Sequence, residues 1–226
     1  PVRDERGLLT TMAWRLNGKP MYALEGSVLV AGAAIQWLRD ELGLISTAAQ
    51  SEQLASQVPD TAGVCFVPAF TGLGAPHWDM YARGTLTGFS RGAKAAHLAR
   101  AALESIAFQS NDLLQLMAAS LGCAPEALRV DGGATANDLL MQMQADISGI
   151  TVLRPQVRET TALGAALLAG LGVGMFSSPA QVAGKWRPEC AFTPAWDAQL
   201  RQERLRDWDR AVRTTLFEAS LRREKG

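Results

Sequence analysis

Short apolar runs alternate with segments of helical spacing through the middle of this 226-residue chain. The runs at Val64–Val67, Leu128–Val130 and Thr151–Leu153 are typical of buried strands. The helical segments between and after them are Lys94–Leu121, which contains neither Gly nor Pro, and Ala136–Ile147. Strands that alternate with helices favour an α/β domain, in which a mixed sheet is flanked by helices.

The two ends of the chain add further elements to this middle region. Residues 8–16 and Met21–Leu24 have strand character, and they flank Asn17-Gly18, a dipeptide typical of a tight hairpin turn. Apolar spacing and helix-stop signals predict helices elsewhere. They are expected at Val28–Leu42, Ser51–Gln57, Thr160–Leu171 and Trp196–Arg223.

Charge and composition exclude several classes of function. The chain has 22 Lys plus Arg and 22 Asp plus Glu, so no net field attracts nucleic acid or an anionic membrane. Its three cysteines lack CxxC spacing and its two histidines stand apart, which argues against a disulfide framework and a metal cluster. No apolar run reaches the ~18 residues of a membrane span. Because the sequence starts at Pro1 without a signal peptide, we expect a cytoplasmic enzyme, or a piece of one cut from something longer.

The most informative local pattern is the segment Leu128–Asn137, LRVDGGATAN. A strand leads into Gly132-Gly133, and a helix is expected to begin a few residues later. Glycines let a ligand approach the backbone, the helix N-terminus offers N–H donors, and Asn137 offers both a donor and an acceptor. The segment therefore suits an adenosine or a phosphate group, although a glycine pair needed only for the turn explains it equally well. Neither a P-loop nor a GxGxxG pattern is present in the chain.

A second pattern of small residues lies in the helix predicted at Val28–Leu42. Ala31-Gly32-Ala33-Ala34 leaves room for a flat group against the helix, and Gln36 can hydrogen-bond a purine edge or a ribose. Close helix packing with an exposed Gln36 is the simpler interpretation of these residues alone.

The remaining polar residues do not form a recognisable catalytic arrangement. Glu104, Gln109 and Asp112 are expected on the solvated face of the long helix, and Arg83 and Arg158 are expected in salt bridges rather than on a phosphate. No serine lies in a GxSxG pattern and no cysteine is paired with a histidine by its context. The sequence therefore predicts no catalytic residue and no metal ligand in this chain.

Several longer segments of the sequence resemble those of a known family. The segment Gly84–Glu104, GTLTGFSRGAKAAHLARAALE, has the spacing of the signature of the FGGY carbohydrate kinases. The preceding loop Pro68–Gly84 and the segments Tyr22–Ile45, Leu128–Asn137 and Glu159–Gly174 are most similar to the members that phosphorylate glycerol. The chain thus resembles the FGGY family from about residue 7 to residue 176, and more loosely beyond.

The resemblance implies an actin-like, ribonuclease H-like ATPase fold with ATP in a cleft between two domains. Residues 1–226 would be the C-terminal, nucleotide-binding domain, and the N-terminal sugar-binding domain would be absent. Matching positions place Gly32, Ile35 and Gln36 along the nucleotide pocket and Ala48 at its edge. Gly133 and Asn137 would hold the adenosine side from the Gly-Gly turn.

The resemblance also implies what this chain lacks. In the family the catalytic aspartate, the glycerol-binding residues and the phosphate loops precede the part present here. The full-length enzyme would transfer the γ-phosphoryl group of ATP to a terminal hydroxyl of glycerol with Mg²⁺, and could be a homo-oligomer, whereas this chain alone would be inactive. The segment Lys185–Gln199 does not resemble the sequence by which some relatives dock a transport regulator, so that regulation is not predicted.

Three alternatives remain open on the sequence. The chain could come from another FGGY kinase, such as one that phosphorylates xylulose. It could be a non-enzymatic actin-like module that uses ATP for assembly, although the signature at Gly84–Glu104 argues against this. It could also be a structural domain with an unused cleft.

Overall fold

A computed structural model describes residues 7–224 and begins with a β-hairpin. Strands β1 (Leu9–Leu16) and β2 (Lys19–Glu25) pair antiparallel. Asn17 and Gly18 connect them with φ values of 49° and 77°. Positive φ at both central residues is the conformation that a two-residue turn between twisted strands requires. The predicted hairpin is therefore confirmed.

Two helices follow the hairpin, and the first is shorter than predicted. Helix α1 spans Gly32–Asp40 rather than starting at Val28, and helix α2 spans Gln50–Ala55. In the non-helical segment before α1, the Val30 carbonyl accepts a hydrogen bond from Gln109 Nε2, at 3.1 Å. This contact ties the segment to a distant helix, a constraint that helical spacing alone does not reveal.

A small antiparallel pair and an ordered loop come next. Strand β3 (Cys65–Val67) pairs with β4 (Thr85–Thr87), and the Gly/Pro-rich loop runs between them. Phe70 anchors this loop, since its ring centroid lies 5.4 Å from that of Trp37 and 5.9 Å from that of Phe66. The loop is thus held by aromatic packing.

The long helix is present almost as predicted. Helix α3 spans Ala95–Leu121 and ends at Gly122, whose φ of 72° stops it. At its start the backbone N–H of Lys94 donates to Nδ1 of His97, at 2.9 Å. His97 is buried in this capping role.

A three-stranded mixed sheet forms the second half of the domain. Strand β5 (Ala127–Arg129) leads through a single 3₁₀ turn into helix α4 (Asp138–Ser148), and β6 (Thr151–Pro155) returns parallel to β5. The order is β5-β6-β7, with β7 (Pro188–Phe192) antiparallel to β6. The sequence did not predict β7. The mixed sheet is confirmed, but the other described strands form two separate pairs instead of extending it.

The C-terminal helix explains why the polar residues of α3 are not solvated. Helices α5 (Thr160–Gly172) and α6 (Pro179–Ala183) precede α7 (Ala198–Arg223), which packs on α3. Glu104 is only 3% exposed and pairs with Arg204 of α7, while Trp208 Nε1 donates to Asp112, at 2.7 Å. The expectation of a solvated face for Glu104 and Asp112 is therefore wrong.

The hydrophobic core lies where α1, α3, α4 and α7 meet β3 and β6. Its largest fully buried side chains include Leu38, Leu103, Met141, Ile147 and Val152. Among the residues that the structure describes, no helix combines the length and apolar character needed to cross a bilayer. The core fixes the relative positions of α1, α3 and α4, which matters for the site below.

Candidate functional site

A cavity of about 330 Å³ opens between α1, α2, α3 and the start of α4. This volume lies within the range of roughly 300–1,000 Å³ that small-molecule sites occupy. Its lining includes all six residues that the family resemblance places at a nucleotide, namely Gly32, Ile35, Gln36, Ala48, Gly133 and Asn137. The two weak sequence patterns, which lie about a hundred residues apart, thus meet at one cavity.

The glycines that line this cavity differ from Gly132, the neighbour of Gly133 in the turn. A Cβ added at Gly32 or Gly133 would meet no atom within 4 Å, and neither residue has a φ in the left-handed region. Gly132 differs, because its φ of 80° and ψ of 177° are a conformation that is essentially restricted to glycine. The turn therefore requires a glycine at position 132 but not at position 133. The space that a side chain would fill at Gly32 and Gly133 is available to a ligand.

Helix α4 begins two residues later than the sequence predicts, and its first donors are occupied. Asn137 is the N-cap residue, and its Oδ1 accepts from the backbone N–H of Leu140, at 2.8 Å. The N–H of Leu139 donates to Oε1 of Glu52 on α2, at 3.1 Å. The expectation that this N-terminus offers free donors to a ligand is wrong for these two groups.

Negative charge further limits what can bind at this end of α4. Glu52 and Asp138 both place carboxylates at the N-terminus, where they already offset the positive end of the helix dipole. Asp138 is in turn held by the buried Arg154, at 2.5 Å. A phosphate would meet carboxylates instead of bare N–H groups. Of the two ligand groups that the sequence suggested, the uncharged nucleoside therefore suits this cavity better.

Asn137 keeps some hydrogen-bonding capacity despite its capping role. Besides accepting from Leu140, it donates from Nδ2 to Oγ of Ser51, at 3.4 Å. A primary amide has two N–H donors and two acceptor lone pairs, so one of each remains. That Asn137 contacts a nucleotide stays a prediction.

The arginines near glycine-rich turns are engaged elsewhere in the fold. Arg158 pairs with Glu189, at 3.6 Å, and Arg83 donates to the carbonyls of Met80 and Ala82, at 2.8 and 2.7 Å. Neither arginine lines the cavity. Arg158 is in a salt bridge, as expected, and Arg83 is bound to backbone carbonyls rather than to a carboxylate.

A larger cavity of about 520 Å³ lies beside α3 and α7 and is lined by charged side chains. Its buried Glu104 is paired with Arg204 and lies 3.5 Å from Nε of Arg100. Burial raises the pKa of Glu104, and the two arginines oppose that change. Glu104 and the two arginines form one ion-pair group, but the lining also carries Asp60, Glu203 and Asp207, and this excess of acidic side chains does not suit the phosphates of a nucleotide.

Sequence reasoning missed several residues of the smaller cavity. They are Arg39, Ala49, Ser51, Glu52, Leu103, Ile106, Ala134, Ala136 and Leu140. Most are apolar or small and carry no chemical signal of their own. Glu52 could not be linked to the Gly-Gly segment because its partner, Leu139, is 87 residues away.

Comparison with known families gives the class of this protein. Residues 1–173 match the model of the FGGY family of carbohydrate kinases, C-terminal domain. Because this match covers more than half of the chain, the chain belongs to the FGGY family of carbohydrate kinases.

Within the family, the chain is similar to proteins named glycerol kinases. The chain is 58% identical over 212 residues to a glycerol kinase of Trichlorobacter lovleyi, and 54% identical over 215 residues to one of Alkaliphilus metalliredigens. These alignments cover 94% and 95% of the chain but only 43% of each relative. The chain thus spans less than half the length of the curated relatives it matches.

Solved structures support the fold. A crystal structure of Plasmodium falciparum glycerol kinase with ADP matches with a TM-score of 0.85 at 36% identity, over 94% of this chain and 42% of that one. A xylulose kinase of Rhodospirillum rubrum matches with a TM-score of 0.77 at 27% identity, over 96% and 44% of the two chains. The domain has the actin-like ATPase fold that the sequence predicts.

Proposed function

We propose that residues 1–226 form the C-terminal, nucleotide-binding domain of an ATP-dependent glycerol kinase. The observation that carries this proposal is the single cavity lined by Gly32, Gln36, Gly133 and Asn137 together. The relatives that are 53–58% identical are named glycerol kinases, and a structural neighbour contains ADP. The xylulose kinase neighbour is only 27% identical, which favours glycerol over a pentulose as the substrate.

In the proposed complex this chain binds the nucleoside part of ATP. The missing side chains of Gly32 and Gly133 would let the ring and sugar lie against the backbone, with Ile35 as an apolar wall. Gln36 and Asn137 would supply hydrogen bonds to the base or the ribose. Since carboxylates occupy the N-terminus of α4, the phosphates would leave the cavity away from that helix, toward the N-terminal domain.

The chemical step would be completed by groups outside this chain. The γ-phosphoryl group would pass to a terminal hydroxyl of glycerol, a reaction that depends mainly on positioning and on neutralising charge. Mg²⁺ supplies that neutralisation in kinases. Within residues 7–224, no group of three His, Cys, Asp or Glu side chains is placed to hold a metal. From the family resemblance we assign the ion to the ATP phosphates and the N-terminal domain, and assign no catalytic residue here.

Location and assembly follow from the same proposal. A glycerol kinase that consumes ATP would work in the cytoplasm, with glycerol bound through the N-terminal domain. A homo-oligomer is compatible with the proposal but is not needed to complete the cavity.

A substrate panel tests the proposed activity directly. The full-length protein would be assayed with ATP and Mg²⁺ on glycerol, xylulose, gluconate and ribulose. We expect kcat/KM for glycerol to exceed that for every other compound by at least about tenfold, the discrimination that a few specific contacts provide. A preference for xylulose would contradict the proposal and favour another branch of the family.

A further inference from the structure

We propose that Glu52 is a positioning residue for the nucleoside, acting through the start of α4 and not by contact with the phosphates. This inference rests on the proposed function, because it assigns the cavity to a nucleotide. Glu52 lies on α2, and its role does not follow from any sequence pattern identified above. It lines the cavity next to Ser51.

A short chain of hydrogen bonds joins α2 to the residue expected to face the nucleoside. Oε1 of Glu52 accepts from the N–H of Leu139, and Oδ1 of Asn137 accepts from the next N–H along the helix. Nδ2 of Asn137 then donates to Oγ of Ser51, which donates to the carbonyl of Ala48, at 2.6 Å. The loop is closed, since Glu52 and Ser51 are neighbours on one helix.

This network holds α2 and the start of α4, which both line the cavity, at a fixed separation. Helix α2 has only six residues and no side-chain cap of its own, so its orientation depends on such tertiary contacts. Ser51 is 1% exposed, and Glu52 is half-buried. Without the carboxylate, the N–H of Leu139 would lose its partner, and of this network only the long Asn137–Ser51 hydrogen bond, at 3.4 Å, would still join α2 to the start of α4.

The location of the carboxylate also indicates which part of the ligand it affects. Glu52 occupies a donor that an anion would otherwise use, so phosphate is excluded from this end of α4. Because the phosphates are proposed to lie away from this end of α4, and because the network positions Asn137, removal of the carboxylate should weaken binding of the nucleoside moiety itself. Adenosine, ADP and ATP should all lose affinity by a similar factor.

The test uses the full-length protein with Glu52→Ala, Glu52→Gln and the control Gln53→Ala. Gln53 is the exposed neighbour on the same helix and does not line the cavity. We expect Glu52→Ala to raise KM for ATP and the inhibition constants of ADP and adenosine each by about fivefold to tenfold, with kcat and KM for glycerol unchanged. Glu52→Gln should stay within about twofold of the wild type, because an amide oxygen still accepts from Leu139. Gln53→Ala should match the wild type.

Several results would overturn this inference. One is an unchanged KM for ATP in a folded Glu52→Ala protein. Another is a lower melting temperature and a lower kcat together with equal increases in KM for ATP and for glycerol, which would indicate a merely structural role. Equal damage by Glu52→Gln and Glu52→Ala would assign the effect to charge and not to positioning. If the wild type itself neither binds nor uses adenine nucleotides, the proposed function fails as well, and the two failures are thereby distinguished.

Discussion

A charged region and a largely apolar region of this domain are built in opposite ways. In the seam between α3 and α7, side chains satisfy each other: Glu104 pairs with Arg204, and Trp208 donates to Asp112. In the cavity between α1 and α4, side chains are missing where the sequence could have placed them, at Gly32 and Gly133.

The difference shows how to separate stability from binding in this fold. Charged residues on the long helix α3 are natural candidates for a functional site in a sequence, yet in the structure they bind the C-terminal helix α7. Glycines are less obvious candidates, yet no described residue packs into the space that a side chain at Gly133 would fill. Changes in the seam should therefore alter stability, and changes in the cavity should alter binding. The predictions below test that division from the largest expected effect to the smallest.

The largest effect is expected from Glu104→Ala in the seam. Removal of this buried carboxylate leaves Arg204 and Arg100 without their shared partner, and breaking a buried ion pair in this way costs roughly 3–5 kcal/mol. Urea unfolding followed by circular dichroism measures the change. Glu104→Gln, which keeps the shape and an acceptor oxygen, should lose clearly less. Equal stability of Glu104→Ala and the wild type would show that the seam is not what attaches α7.

A pH-dependent effect is expected from Asp112 in the same seam. Burial raises its pKa from 3.8 to about 6, the hydrogen bond from Trp208 opposes the rise, and nearby Asp209 adds to it. The raised pKa means that the folded state binds the proton more tightly than the unfolded state. The resulting stabilisation is complete below pH 3.8 and is lost as the pH rises through about 6.

Asp112→Asn isolates this contribution because an amide does not titrate. At pH 7.5 the variant should be more stable than the wild type by up to about 3 kcal/mol, the equivalent of a shift of about two pKa units. Near pH 4 the two proteins should be almost equally stable. Parallel unfolding curves at both pH values provide the measurement, and a difference that does not change with pH would contradict the assignment.

A smaller stability effect should separate the two adjacent glycines of the turn. Gly132→Ala forces a side chain into a backbone conformation that only glycine adopts readily, at a cost of about 2 kcal/mol. Gly133→Ala should leave the melting temperature almost unchanged, because its Cβ meets no atom within 4 Å. Differential scanning calorimetry of both variants tests the distinction. A destabilised Gly133→Ala protein would mean that Gly133 serves the turn after all.

Local signals made much of the fold predictable. Helix α3 follows from a long stretch without Gly or Pro, and the first hairpin follows from Asn17-Gly18. Strand β7 was missed because Pro188–Phe192 mixes polar and apolar residues at a sheet edge, where pairing with β6 decides the conformation. The burial of Glu104 was missed because its partner comes from a helix 100 residues later in the chain.

The candidate site was predictable to a similar extent. Gly133 and Asn137 stand out within one segment, and the family resemblance joins them to Gly32 and Gln36. Glu52 could not be found in this way, since only the folded chain brings α2 to the start of α4. Short-range patterns thus identified the walls of the cavity, whereas the contacts that hold those walls together required the three-dimensional structure.

Calorimetric titration of ADP into the full-length protein tests the central claim most directly. The variants are Gly133→Val, Asn137→Ala and, as a matched control, Gly172→Val, since an added Cβ at Gly172 likewise meets no atom within 4 Å but Gly172 lies outside the cavity. We expect Gly133→Val to weaken ADP binding by at least about tenfold, or 1.4 kcal/mol, at an unchanged melting temperature, with a smaller loss for Asn137→Ala and none for the control. Wild-type affinity in a well-folded Gly133→Val protein would contradict the assignment of this cavity to the nucleotide.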